Sequence, residues 1–352
     1  GAWDVEKQYE RGRFLGQLLL PADFRPQLST AAPLVLMLDT TVARVHWEMV
    51  AQHDNEVISS PFAGNGETGR HTARAGEFDP RRFLGTSRGV TRQLRTTFAP
   101  PPQPPPPPRR LMRVLVVADP AEDNRLPGAE AEGAAVASLF ERFNTVHELT
   151  DNRIEVVKLL GPQEATRTNV LRELMQRSYD VLHFAGHCTY DRDHPEMSGW
   201  IFSNGTRITA HELNRIDRVP GFVFSNACES GITPDRAELR SVELAPSFAE
   251  SFFGRGVANF VCTAWPVDDI AAQEFALTMY ERLLGLRPID RYHRQFTGTS
   301  PEQMHIAMRS ARLSILETPS GAQTWGAYQH YGNPYLRFFD PASMAQSPNG
   351  KA

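Results

Sequence analysis

Two side chains suited to act as base and nucleophile stand at the ends of apolar runs: His187 closes YDVLHFAGH, and Cys228 sits in FVFSNACESG. A thiol with a pKa of about 8.5 is only a few per cent thiolate at neutral pH, so it needs a proton acceptor beside it. An imidazole fills that role and later returns the proton to a leaving amine. The pair has the chemistry of a cysteine protease, in which the thiol attacks a peptide carbonyl and an acyl-thioester is then hydrolysed. The tetrahedral oxyanion needs backbone N–H donors. Small residues around both side chains, Ala185, Gly186, Ala227 and Gly231, let the chain approach a carbonyl, and the N–H of Cys228 is the natural first donor.

Other uses of these residues fit less well. Three cysteines, Cys188, Cys228 and Cys262, are too few and too irregularly spaced for a disulfide framework or a zinc site. His183 precedes His187 by four positions on the same run and invites comparison with a metal-binding pair, but no third ligand stands out, so it reads as a packed strand residue. A phosphatase loop would need Cys-x5-Arg, whereas the first arginine after Cys228 is Arg236. Cys262, within VANFVCT, reads as core. No metal ion or cofactor is called for.

For His187 and Cys228 to meet, neighbouring strands of a parallel sheet must bring their C-terminal ends to one edge. The pattern supplies such strands. LMRVLVVA at 111–118 reads as a strand, followed by a helix with a face of Ala131, Ala135, Leu139 and Phe143. A strand at 154–160, a helix at 169–175 and the His187 strand come next. This βαβαβ series implies an α/β fold with right-handed crossovers. GWIFSNGTRIT, with Asn204-Gly205 between apolar runs, predicts a hairpin between the His and Cys strands, and Thr209 with Glu212 forms a capping box. Later come a helix over SFAESFF ended by Gly254 and Gly256, a strand at VANFVCT, helices at 269–285 and 301–317, and a closing strand YLRFF. Ser300 and Pro301 open the second of those helices.

Residues 100–108 read PPPQPPPPP, a polyproline II spacer that divides the chain unequally. Upstream, Phe14, Leu18 and Leu19 predict the buried face of a short helix, PLVLMLD at 33–39 a buried strand, ARVHWEMV a further helix or strand, and residues 54–82 a loop. Length and composition fit one large or two ordinary globular domains: 352 residues, 41% hydrophobic. A net charge of −4 with mixed signs argues against nucleic acid as a partner. No apolar run approaches the roughly 20 residues of a membrane span, and no signal peptide opens the chain, so a cytoplasmic protein that does not engage a membrane is expected. The chain begins Gly-Ala-Trp without methionine, as a segment excised from a longer protein would.

HFAGH, a hairpin, SNACESG and then SFAESFFGRGVANFVCTAWPVDD with a helix resemble the CHAT family of caspase-like peptidase domains, often joined to tetratricopeptide repeats and related to separase and clostripain. PLVLMLDTTVARVHWEMV resembles the family's opening strand and tryptophan-glutamate turn, and WGAYQHYGNP its closing segment. The resemblance implies a caspase-like three-layer α/β/α fold with a mainly parallel central sheet. It divides the chain into an N-terminal, pseudo-protease-like part at 1–110 that includes a proline-rich linker at about 99–109, a protease part at 111–342, and a flexible tail at 343–352. It also implies His187 as base, Cys228 as nucleophile, and oxyanion donation from the backbone around Gly186, Cys188 and Ala227. Caspase-like enzymes usually place Gly after the catalytic histidine. Here Cys188 stands there, and a left-handed φ would cost more than for Gly.

Separase-like relatives hold a basic P1 side chain with acidic residues in the region of Trp265–Asp269, which makes Asp268 or Asp269 pocket candidates, although an Asp there is equally an N-cap. Asp180 is a second acidic candidate, and Asn226 is placed to line the same pocket. A P1 preference for Arg or Lys follows. The implied substrate is a protein, and the implied partner an upstream sensor, repeat domain or activator in bacterial antiviral defence or cell death. The alternative is a catalytically silent caspase-like module serving as an interaction platform. The arginine-bearing stretch 286–299 is open to autoprocessing or to reading as a plain interhelical loop.

Overall fold

The computed structural model describes residues 4–29, 32–39, 42–52, 79–94, 111–189, 197–213, 216, 218–229, 257–290 and 295–344. The polyproline stretch, the SFAESFF helix with Gly254 and Gly256, Gly231, the tip of 286–299 and the last eight residues of the tail lie outside them, as does the side chain of Cys228. A central sheet takes β1 (Val35–Leu38), β2 (Thr91–Leu94), β3 (Leu111–Ala118), β4 (Arg153–Leu160), β5 (Val181–Thr189), β8 (Phe222–Glu229), β9 (Asn259–Thr263) and β12 (Tyr328–Tyr331). Their order is β1-β2-β12-β9-β8-β5-β3-β4. All lateral pairs are parallel except β9 with β12. β6 (Gly199–Ile201) and β7 (Arg207–Thr209) form the predicted hairpin, antiparallel on the end of β5. Asn204 and Gly205 take the left-handed φ values of 59° and 65° that a primed turn needs.

Successive residues of each strand feed two separate cores, as the period of a pleated strand requires. Val114, Val116, Val181, Phe222 and Phe224 join one core with α3 (Pro127–Val146), α7 (Asp269–Leu284) and α8 (Met304–Leu316). Leu115, Val117, Leu182, Phe184 and Val223 join the other with Val170 and Leu174 of α5 (Arg167–Gln176). The result is the expected α/β/α arrangement with a mainly parallel sheet. Trp200 stacks on Phe184 with ring centroids 4.5 Å apart and donates to Ser225 Oγ at 2.9 Å, which anchors the hairpin. Thr209 and Glu212 bond each other's backbone N–H reciprocally at the start of α6 (Ala210–Leu213), the predicted capping box.

Several local expectations are corrected. The first helix exists as α1 (Val5–Leu19), but Phe14 and Leu18 are exposed and its buried face is Gln8, Tyr9, Gly12 and Gly16. A Cβ at Gly12 or Gly16 would collide with the carbonyls of Met49 and Ala51, so backbone contact, not apolar side chains, docks the helix. ARVHWEMV forms two 3-10 turns, Val42–Arg44 and Trp47–Met49. On α3, Ala131 is exposed and Glu132, Val136 and Phe140 are buried, so the inward face is rotated. The helix placed at 301–317 begins at Met304, because Glu302 N–H bonds the Arg282 carbonyl instead of entering a helical turn. YLRFF is no strand: Phe339 stacks on Phe143 and Phe338 packs on Phe222, plugging the core, while the last strand is β12. The stretch at 286–299 is not a plain loop either, since β10 (Leu286–Asp290) and β11 (Gln295–Gly298) pair antiparallel.

No break in the sheet coincides with the proline-rich stretch. β1 and β2 continue the sheet beyond β12, and Phe83 packs on Trp325 at 4.6 Å in the shared core. His330 on β12 stitches three strands: its Nδ1 lies 3.1 Å from Thr91 Oγ1 on β2, and its Nε2 lies 3.1 Å from Asn259 Oδ1 on β9. Burial, with Arg312 and His305 nearby, lowers the His330 pKa to about 3. Burial, opposed by Glu48 and assisted by Arg92, lowers that of His46 to about 4. Both rings are neutral in the folded protein but protonate when unfolded below about pH 6.5, so the unfolded state takes up more protons and stability falls as pH drops. The loss is expected to run from about pH 6.5 towards 4 and to reach roughly 2 kcal/mol per ring at pH 5. Urea midpoints at pH 7 and 5 measure it. The drop should shrink in His330→Gln, and a flat midpoint in the wild type would refute it.

Candidate active site

β5 and β8, neighbours in the interior of the sheet, carry the proposed dyad. Their parallel register pairs His183 with Phe224, Ala185 with Asn226, and His187 with Cys228. Laterally paired positions lie on one face of a pleated sheet, so His187 and Cys228 are neighbours on the same face at the C-terminal end of their strands. That edge is where open α/β sheets bind ligands.

His187 is 7% exposed, and its Nε2 lies 2.9 Å from the backbone carbonyl of Asn124. A carbonyl oxygen only accepts, so Nε2 carries the proton in the neutral ring and Nδ1 holds the free lone pair. The imidazole is thus oriented by a second group and keeps one basic nitrogen available. Asn124 was not singled out in the sequence. Its contribution is a main-chain carbonyl, which leaves no trace in residue type.

Behind these strands lies a buried polar set that the sequence also hid. Glu132 of α3 accepts from Asn226 Nδ2 at 2.6 Å, while its other oxygen lies 3.3 Å from His183 Nε2. His183 Nδ1 meets the Tyr280 hydroxyl at 3.2 Å, and the ring stacks on Phe224. Burial, with the charge of Glu132, raises the Tyr280 pKa. His183 is therefore a packed strand residue, as expected, with a carboxylate for company. Asn226 is 9% exposed; with its amide nitrogen fixed on Glu132, its Oδ1 has no hydrogen-bond partner among the described residues.

The remaining candidates separate clearly. Cys188 is buried, donates its Sγ to the Ala227 carbonyl at 3.3 Å and lies between Trp200 of β6 and Glu229 of β8. Its backbone is extended: among the described residues the non-glycine positive φ values belong to Asp119 and Asn204. The anticipated cost of a left-handed Cys188 therefore does not arise. Gly186 faces the Phe184 ring and Pro120, each of which a Cβ would approach to 3.0 Å. Ala227 also accepts through its carbonyl from Thr263 Oγ1 at 3.4 Å.

Asp180 is not brought to the site. It precedes β5 at the opposite end of the sheet, about 23 Å from His187 at the rise of an extended strand, and accepts from the Arg113 N–H at 2.8 Å. Asp268 is the N-cap of α7, accepting from the N–H groups of Ile270 and Ala271 at 3.0 and 3.1 Å. The capping reading of Asp268 is realised. Asp269 is exposed and lies over Gly128 at the start of α3. Cys262 is core, its thiol pKa pushed up by burial. Among the described residues no three His, Cys, Asp or Glu side chains gather as for a metal ion, and no helix is long and apolar enough to cross a membrane.

Solved structures resemble the chain only distantly. The Arg specific cysteine proteinase gingipain R aligns at 11% identity and a TM-score of 0.45, over 70% of this chain and 55% of that one. The Saccharomyces cerevisiae separase–securin complex aligns at 12% identity and a TM-score of 0.41, over 86% of this chain and 16% of that one. The chain thus spans about half the length of the gingipain and a small fraction of the separase. No curated protein matches it. The sequence pattern of the CHAT domain, however, matches residues 10–333, and the chain belongs to the CHAT domain family.

Proposed function

We propose that this chain is a cysteine endopeptidase in which Cys228 attacks a peptide carbonyl and His187 Nδ1 takes the thiol proton. The carrying observation is the register that sets His187 beside Cys228, with His187 Nε2 held by the Asn124 carbonyl so that the other nitrogen is basic. The thiolate adds to the carbonyl, the imidazolium returns its proton to the leaving amine, and water then hydrolyses the thioester by the reverse use of the same base. The N–H of Cys228 is the principal oxyanion donor, with the backbone at Gly186, Cys188 and Ala227 shaping the pocket.

A P1 preference for Arg or Lys now rests on Asn226 and Glu132, not on Asp180 or the capping Asp268. The Oδ1 of Asn226, which has no partner among the described residues, is an acceptor, and the carboxylate behind it favours a cation. The substrate is a protein, and control comes from an upstream sensor or repeat domain in a bacterial defence pathway. The silent-module alternative draws its support from Cys188, and the extended backbone there favours the enzyme reading over it.

Fluorogenic peptides carrying Arg, Lys, Asp, Leu or Met at P1 test the reading, with Cys228→Ala as control and any identified upstream activator added. Turnover of the Arg or Lys peptides that vanishes in Cys228→Ala is expected. Absence of turnover with the activator, together with no labelling of Cys228 by an electrophilic peptide, would overturn it.

A further inference from the structure

The segment that offers its carbonyl to His187 is itself held in place by an unusual residue. Asp119 follows β3 and continues the ladder to β5 by donating its N–H to the Ala185 carbonyl at 2.9 Å. It is 1% exposed and has a φ of 49°, a left-handed conformation that costs an aspartate on the order of 1 kcal/mol. Its two carboxylate oxygens then grip the two residues that follow Asn124. Oδ2 accepts from Arg125 Nε at 2.6 Å, and Oδ1 accepts from the Leu126 N–H at 2.7 Å. Arg125 is the exposed partner and reaches on to Glu130 on α3.

The outer side of the same loop is pinned by the β6–β7 turn. Ser203 Oγ accepts from the Glu122 N–H at 3.0 Å and donates to the Pro120 carbonyl at 3.1 Å. The N–H of Asn204 donates to Asp123 Oδ1 at 3.2 Å. Among the described residues both non-glycine positive φ values, Asp119 and Asn204, thus fall in this one clamp. Strained backbone kept in place by surrounding bonds is characteristic of sites where geometry is held for use.

We propose that Asp119 is a positioning residue for the dyad: its carboxylate closes the loop 119–126 so that the Asn124 carbonyl meets His187 Nε2, which fixes the imidazole in the tautomer whose Nδ1 is the base. This rests on the reading of His187 as the general base. The carboxylate bonds hold the Arg125 side chain and the Leu126 N–H, one peptide beyond the planar unit that carries the Asn124 carbonyl, so they limit the rotation of that unit and with it the direction of the Asn124 oxygen. Without them the carbonyl is free to leave, and the ring is divided between two tautomers of which one cannot accept the thiol proton.

The test compares Asp119→Asn, which keeps the shape and loses the charge, with Asp119→Gly, which suits the φ and removes both acceptors. Nitrogen NMR shifts of the His187 ring in the resting protein report the tautomer. In both variants the Nε2–H form is expected to lose its dominance, with kcat down about 10- to 100-fold and KM within about twofold of wild type. Urea midpoints identify any variant that has merely unfolded, and if Asp119→Gly does so the near-isosteric Asp119→Asn decides. A wild-type tautomer in a folded variant overturns the proposal, even should kcat fall. Should the wild type show no turnover while the ring shifts move in the variants, the peptidase reading fails and the positioning role stands.

Discussion

His187→Gln is expected to lower kcat/KM for the preferred peptide by about 10²–10⁴-fold, equivalent to roughly 3–5 kcal/mol of transition-state stabilisation. Glutamine can still donate a hydrogen bond towards the Asn124 carbonyl, so the neighbouring loop keeps its partner and only the proton acceptor is lost. Residual activity should then follow the ionisation of the thiol alone and rise with pH towards about 8.5, where a free cysteine becomes thiolate. The wild type, drawing on the imidazole, should already be active near neutrality. Alkylation of Cys228 by iodoacetamide across pH gives the same comparison without a substrate. Identical pH profiles for the two proteins would show that His187 is not the base.

The second large effect concerns the folded state. Glu48 and Arg92 are both fully buried and joined by two bonds, Nε to Oε1 at 2.9 Å and Nη2 to Oε2 at 2.6 Å. Arg92 also donates to the carbonyls of Ala43 and Val45 at 2.6 and 2.9 Å, which fastens β2 to the 3-10 turns before it. Burial alone would raise the Glu48 pKa, but the charge and hydrogen bonds of Arg92, with Arg312 adding, bring it below the ordinary carboxylate value. Arg312 is buried as well. Burial lowers it to about 10, with Glu48 opposing and Arg92 adding to the shift. One carboxylate therefore serves two buried guanidinium groups. Glu48→Gln at pH 7 is expected to cost about 3–5 kcal/mol, because it leaves a buried cation uncompensated. Glu48→Leu with Arg92→Met should recover part of that loss, since the Arg92 charge is removed with its partner and only Arg312 is left without a carboxylate. Chemical denaturation of the three proteins checks both statements. A loss below about 1 kcal/mol in Glu48→Gln, the scale of an exposed pair, would mean that water reaches the site.

The tryptophan-glutamate turn was visible in the sequence as Trp47-Glu48, but its partner was not. GVTRQL carries no strong apolar pattern, and β2 went unpredicted because its burial comes from joining the sheet between β1 and β12. Arg92 in such a stretch reads as a surface residue. A Glu48 that accepts from it is what allows that arginine inside.

What the sequence determined by itself was everything carried by local periodicity and turn chemistry. The βαβαβ rhythm from Leu111 to His187, the Asn204-Gly205 hairpin, the Thr209/Glu212 box and the ends of the His and Cys strands could all be read from residues within a few positions of one another. The placing of His187 and Cys228 at one sheet edge followed from parallel strands alone. Tertiary structure decided which faces were buried and which acidic groups came near the site. Gly12 and Gly16 bury α1 by letting backbones touch, while its apolar Phe14 and Leu18 stay outside. Asp180 immediately precedes the strand that carries His187 yet lies at its far end, whereas Glu132, far away in sequence, lies against Asn226. Hydrophobic pattern encodes the element, but packing between elements depends on shape, on main-chain carbonyls such as that of Asn124, and on charges whose partners come from other strands. None of these is a property of a single stretch of chain.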